Sequence, residues 1–231
     1  MGSIQHLSIA ITLIAPLALS AQLTLDATVR PRTEYRDGYQ QAISLSQEPA
    51  FFTEQRTRLT FDYFGDGIKL RISPQDVRVW GDVPQLNRGD DQGLSVHEAW
   101  AEVELTDDWA LKAGRQEVVF DDHRIMGNVN WAGQARSHDL ARLIRKKGAS
   151  TLDLGFAYNQ DAPALTGQFL EESATYKALQ YAWYHKDGDV LDFSLLALNN
   201  GRQYDGLEGA KTVYSQTVGG HLQYKRGNFN V

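Results

Sequence analysis

The chain has no cysteine among its 231 residues. That excludes a disulfide framework, thiolate metal ligands and a cysteine nucleophile, and it suits a periplasmic or outer-membrane setting. It carries no phosphate-binding glycine loop, no G-x-S-x-G elbow and no H-E-x-x-H helix. Nor does it have a basic excess. The net charge is −6, and thirteen of the fifteen arginines precede Lys146, alternating with Asp and Glu. Such a balanced pattern excludes a nucleic-acid footprint, which needs positive charge on one face.

Long apolar runs are absent too, with one exception. Ile9–Leu19 (IAITLIAPLAL) is too short to span a bilayer as a helix, which takes about 20 residues. No Lys or Arg precedes it. Small residues follow it, so residues 1–21 are predicted to be a signal peptide, cleaved between Ala21 and Gln22. Residues 22–231 are then expected to form one domain.

What is present after Gln22 is a series of β-like segments: Leu23–Tyr35, Thr53–Phe64, Ile68–Trp80, Leu94–Leu105, Trp109–Asp121, His138–Lys146, Thr151–Gln160, Tyr176–Lys186, Val190–Asn199 and Thr212–Lys225. Their connections alternate in length. Gly65–Gly67, Thr106–Asp108, Lys147–Ala149 and Asp187–Asp189 read as tight turns. Arg36–Phe52, Gly81–Gly93, Asp122–Ser137, Asp161–Thr175 and Asn200–Lys211 read as long loops. This alternation is the connectivity of an up-and-down antiparallel transmembrane β-barrel, whose strands take about 9–11 residues to cross a bilayer. A sandwich would use Greek-key crossings instead. About ten strands followed by Phe229-Asn230-Val231, which opens another, predict part of a larger barrel, because an unpaired strand edge is not tolerated in lipid.

Period two supports the assignment. Thr151, Asp153, Gly155, Ala157 and Asn159 oppose Leu152, Leu154, Phe156 and Tyr158; Arg56, Arg58, Thr60 and Asp62 oppose Thr57, Leu59, Phe61 and Tyr63. Aromatics cluster at strand ends, as interfacial girdles would place them. One strand breaks phase: Lys69, Arg71 and Ser73 are odd, whereas Asp76 and Arg78 are even. A bulge at Pro74 is predicted to bring Asp76 and Arg78 onto the Arg71 face. A similar ambiguity lies near Gly114.

Arginine in a strand must face water or be paired. Arg30 and Arg32 share a face with Glu34, and Arg56 and Arg58 share one with Glu54. Such residues lining a polar lumen either attract carboxylates and phosphates or form a salt-bridge network. Acid–base or metal chemistry is not expected. His97 and Glu98 are adjacent strand residues, expected on opposite faces, and Asp121-Asp122-His123 reads as a solvated turn. The loop Asp122–Ser137, with Asn128, Asn130, Trp131, Gln134 and Arg136, suits stacking on a sugar ring; alternatively it folds inward as a support with Trp131 packed.

Gly114-Arg115-Gln116-Glu117, Asp122-x-Arg124-x-x-Gly127-Asn128, Trp131, Arg136 and Asp139 resemble the signature of the alginate-export family of bacterial outer-membrane barrels. Gln55–Leu59, Gln75–Gly81 and Glu98-Ala99-Trp100 are similar to further blocks, in the same order, over about Leu23–Ile144. The resemblance implies a non-enzymatic outer-membrane channel, without cofactor or metal, passing an anionic polyuronate or small organic anions. It implies a conduit of Arg30, Arg32, Arg56, Arg58, Arg78, Arg115, Arg124, Arg136 and Arg142, balanced by Asp76, Glu98 and Asp139. Pro31 departs from the pattern by interrupting Arg30-x-Arg32, and the family barrel has more strands than this chain supplies. The alternative from the residues alone is a secreted β-sandwich that binds or cleaves acidic polysaccharide.

Overall fold

A computed structural model describes residues 22–38, 41–44, 46–86, 93–163, 165–167, 170, 175–206, 209–226 and 229–230. The expected signal peptide, residues 1–21, lies outside them. The strands are β1 (Gln22–Arg36), β2 (Ala50–Gly65), β3 (Ile68–Val79), β4 (Leu94–Glu104), β5 (Trp109–Gln116), β6 (His138–Lys147), β7 (Ser150–Tyr158), β8 (Ala178–Lys186), β9 (Leu191–Gly206), β10 (Gly209–Arg226) and the short β11 (Phe229–Asn230). They form one antiparallel sheet in sequence order, with no helix among the described residues. The first ten match the expected segments in order. The sheet is open, and β1 and β11 are its ends.

Two boundaries differ from expectation. The segment Asn200–Lys211 is not a loop: β9 and β10 continue as a two-stranded ribbon, pairing Asn200 with Ser215 and Gly206 with Gly209. Its Asn, Arg, Gln and Asp residues look like loop composition, but cross-strand partners in β10 satisfy the backbone. Conversely, β5 stops at Gln116 instead of Asp121. Val118 and Phe120 alternate as a strand would, yet they leave the ladder and are buried against β8 and β9. Gly114 keeps β5 in phase at φ +120°, where a Cβ would lie 2.3 Å from the Ala99 carbonyl oxygen, so only glycine fits.

The register assigns two faces. Residues 117–137 lie on one, here the loop face. Following the pairs across the sheet, it carries Arg30, Arg56, Arg71, Glu98, Lys112, Arg142, Asp153, Tyr181, Leu196 and Gly219. The opposite face carries an apolar belt: Leu23, Leu25 and Val29; Leu59 and Phe61; Leu70 and Ile72; Leu111; Leu143; Leu154 and Phe156; Leu195; Val218 and Leu222. Most of the belt is open to its surroundings, Leu23 by 71% and Val218 by 82%.

The buried core sits on the loop face, where Val118, Phe120 and Met126 of the loop pack on Leu140, Ala157, Leu179, Tyr181 and Leu196. Phe120 stacks on Trp183 at 4.4 Å and meets Tyr181 edge-on at 5.4 Å. Burying such a side chain is worth about 1.5–3 kcal/mol, which anchors the loop to β8 and β9.

The predicted bulge exists between Ser73 and Pro74, but the extra residue is His97 of β4, which sits between the pairs Ser73–Glu98 and Pro74–Val96. β3 therefore keeps its own alternation against β2. Asp76 and Arg78 pair with Thr57 and Gln55 on the belt face, not with Arg71 on the loop face. Pro74 marks the irregularity but does not carry it.

Candidate functional site

The bulge decides the centre of the site. Because His97 is the inserted residue, both His97 and Glu98 turn toward the loop face and are buried, contrary to the expectation of opposite faces. Alternation holds only where pairing is regular. His97 Nε2 lies 2.7 Å from Glu117 Oε1, Asn128 Nδ2 donates to Glu117 Oε2 at 2.8 Å, and the Glu117 amide donates to Glu98 Oε1 at 3.3 Å. Glu117 thereby draws the chain inward as it leaves β5. Burial pushes its carboxyl up, but the hydrogen bonds from His97 and Asn128 and the charges of His97 and Arg58 outweigh this and hold it below the usual carboxylate range.

Beyond Glu117 the loop crosses the face to the other end of the sheet. Arg30 donates to the carbonyls of Asn130 at 2.6 Å and Ala132 at 2.9 Å, and Arg32 to that of Trp131 at 2.6 Å. Arg56 reaches the Gly133 carbonyl at 3.5 Å, and Gln75 donates to that of Gln134 at 3.0 Å. A Cβ at Gly133 would lie 2.0 Å from Glu54 Oε1, so a larger residue there would displace the Glu54 carboxylate. The other arm of the loop holds Asp121, which accepts from Ser194 at 2.6 Å and Trp183 at 3.1 Å. Asp121-Asp122-His123 is therefore more than a solvated turn. Asp121, His123, Val129 and Ala135 all have positive φ, so contacts at both ends hold the loop in conformations that non-glycine residues rarely adopt.

The arginines expected together fall into three groups. Arg30, Arg32, Arg56, Arg58 and Arg142 share the loop face. Arg32 lies 2.7 Å from Glu34 and 2.7 Å from Glu54. Arg58 donates to Gln75 at 2.7 Å and lies 3.8 Å from Glu117. Arg142 pairs with Asp153 and donates to Gln116 at 3.3 Å. Arg56 is 5% exposed, and its Nε has no hydrogen-bond partner. Glu98 is the expected balancing carboxylate, and Arg71 at 3.1 Å is its partner. Arg78 and Asp76 pair with each other on the belt face. So do Arg115 and Asp139 at 2.7 Å, because Arg115 pairs across with Ala99 on that face. Arg124 and Arg136 sit in the loop with exposed side chains; Arg124 lies 3.3 Å from Asp122. Trp131 is 73% exposed, so the loop folds inward as a support while its indole stays unpacked.

Sequence reasoning missed Asp62, Gln75, His97, Gln116, Glu117, Asp121 and Asp153 as partners. Asp62 and Asp153 were accessible in principle, since Asp62 shares the parity of Arg56 and Arg58 and Asp153 lies on the polar face of its strand. Glu117 and Asp121 were not, because their contacts depend on where the loop crosses. Among the described residues, no group of three or more His, Cys, Asp or Glu is placed to hold a metal. The arrangement positions the loop through arginine–carbonyl hydrogen bonds and balances its charges internally. Comparison of the chain with family models and with curated proteins returns no match.

Proposed function

We propose that this chain is wall and constriction of an outer-membrane β-barrel channel that passes anionic saccharides, of the alginate-like polyuronate class, or small organic anions. The observation that carries the reading is the two-faced sheet. An open apolar belt backs a face on which Arg30, Arg32, Arg56 and Arg58 lie within two neighbouring strands. An exposed apolar surface of that extent is costly in water and ordinary against lipid. Guanidiniums on the other face need water or counter-charge.

The loop 117–137 narrows the lumen, and Arg30 and Arg32 set its position through backbone carbonyls. The exposed Trp131 forms the sugar-facing surface, and Arg56, buried beneath the loop, adds positive charge behind it. The secreted-sandwich alternative needs a second sheet over the apolar belt; the eleven strands described lie in one sheet.

Heat-modifiable migration after outer-membrane fractionation and single-channel recording test the proposal. Anion-selective conductance is expected, and Arg56→Ala with Arg58→Ala is expected to lower the selectivity. A soluble periplasmic band would overturn the membrane assignment. Unchanged selectivity in the double variant would reassign the pair to structural support.

A further inference from the structure

We infer that the rim of this sheet holds a binding site for the phosphate-bearing headgroup of a bilayer lipid, an inference that rests on the membrane reading above. β5 to β8 are short beside their flanks. β4 runs up to Leu94, past Ala99, the partner of Arg115, and β9 runs to Gly206, past Gly201, the partner of Ala178. At the upper end of this low stretch lies a cavity of about 450 Å³ lined by Arg115, Arg136, His138, Asp139, Asn159 and Tyr176, among others.

The cavity is built. Tyr176 Oη lies 3.0 Å from His138 Nδ1 with the rings stacked at 5.9 Å, and Asn159 Nδ2 donates to the Tyr176 carbonyl at 2.9 Å. Arg115 uses Nε on the Val96 carbonyl at 3.0 Å and Nη1 on Asp139 at 2.7 Å. That leaves Nη2 with two uncommitted donors. Arg136 is engaged through its backbone amide, 2.6 Å from the Asn128 carbonyl, and its exposed side chain lines the cavity. Two guanidiniums against one carboxylate give a net positive pocket whose fork geometry fits a tetrahedral oxyanion.

The cavity lies at the rim where the two faces meet, with Arg136 and His138 lining it from the loop face and Arg115 and Asp139 from the belt face. Arg115 and Asp139 belong to the belt face, and along that face the next residues are Ala113 and Ala141, then Leu111 and Leu143. An amphiphile with its phosphate between Arg115 and Arg136 lays its chains along this apolar surface. The comparison with inorganic phosphate separates this lipid from a free anion entering the cavity from the loop face.

The test places the full chain in phosphatidylcholine nanodiscs and titrates fluorescent phosphatidic acid against fluorescent diacylglycerol. The wild type is expected to prefer phosphatidic acid. R115A/R136A is expected to lower that preference about tenfold or more, the worth of hydrogen bonds to a charged group. D139N, which removes the competing carboxylate, is expected to raise it; this single isosteric change decides the matter if the double variant fails to fold. Preferences unchanged in both variants would overturn the site. So would inorganic phosphate binding as tightly as the lipid, which would make it a site for a free anion. A chain that inserts and conducts without lipid preference removes this inference alone. A chain that does not insert removes the channel reading with it.

Discussion

Replacing Arg30 and Arg32 together by alanine is expected to release the far half of the loop without unfolding the sheet. The two side chains supply three hydrogen bonds, to the carbonyls of Asn130, Trp131 and Ala132, at 2.6, 2.6 and 2.9 Å. Hydrogen bonds involving a charged partner are worth about 1.5–3 kcal/mol each when buried. Arg32 has 37% of its side chain exposed, so solvent screening reduces the total to about 2–3 kcal/mol for the pair. That is enough to convert a loop closed about 95% of the time into one open more than half the time, since 1.4 kcal/mol is tenfold. The near half stays in place, because Phe120 and Asp121 are held separately by Trp183, Tyr181 and Ser194. Limited trypsinolysis at Arg136, in detergent or nanodisc, is the direct assay. The double variant is expected to be cut at Arg136 at least tenfold faster, with larger, noisier single-channel conductance and unchanged heat-modifiable migration. Equal cleavage rates would refute the claim that the arginines hold the loop, whatever the function of the chain.

Phe120→Ala tests the other anchor. Truncating a buried aromatic costs about 3–5 kcal/mol, and here it also removes two ring contacts, so the temperature at which the folded gel form is lost should fall. Asp153→Asn leaves Arg142 without its carboxylate in a site where Asp153 is 2% exposed. Breaking a buried pair costs about 3–5 kcal/mol, and urea unfolding followed by tryptophan fluorescence should show it. Glu117 sets a pH dependence. Its folded-state affinity for protons is lowered, so its stabilisation is fully present above the ordinary Glu value of about 4.3 and is lost as pH falls through the lowered value. Loop protection from protease should weaken over that acid window in the wild type and show no such step in Glu117→Gln.

The strand order, the up-and-down connectivity and the two faces of β1, β2 and β7 were legible because period two is a local property of the chain. The short turns were legible for the same reason. Residues 117–121 and 200–211 were misread in opposite directions, since composition alone does not say whether a ladder partner exists alongside. The Val118 and Phe120 alternation and the polar run after Asn199 each took the structure that their neighbours allowed.

The arginines divide along the same line. That Arg30 lies with Arg32, and Arg56 with Arg58, follows from spacing alone, and so does the requirement that each be paired or wet. Which face received Asp76, Arg78, Arg115 and Asp139 did not follow. It depends on His97 being the inserted residue opposite Pro74, and on Gly114 keeping β5 in step beside Ala99. Register is a relation between strands, and a displacement of one residue exchanges one face of the sheet for the other. The inward course of the loop, with its carbonyls on Arg30 and Arg32 and its phenyl ring under Trp183, joins residues about sixty to a hundred positions apart. Only the assembled sheet brings such partners within hydrogen-bonding reach.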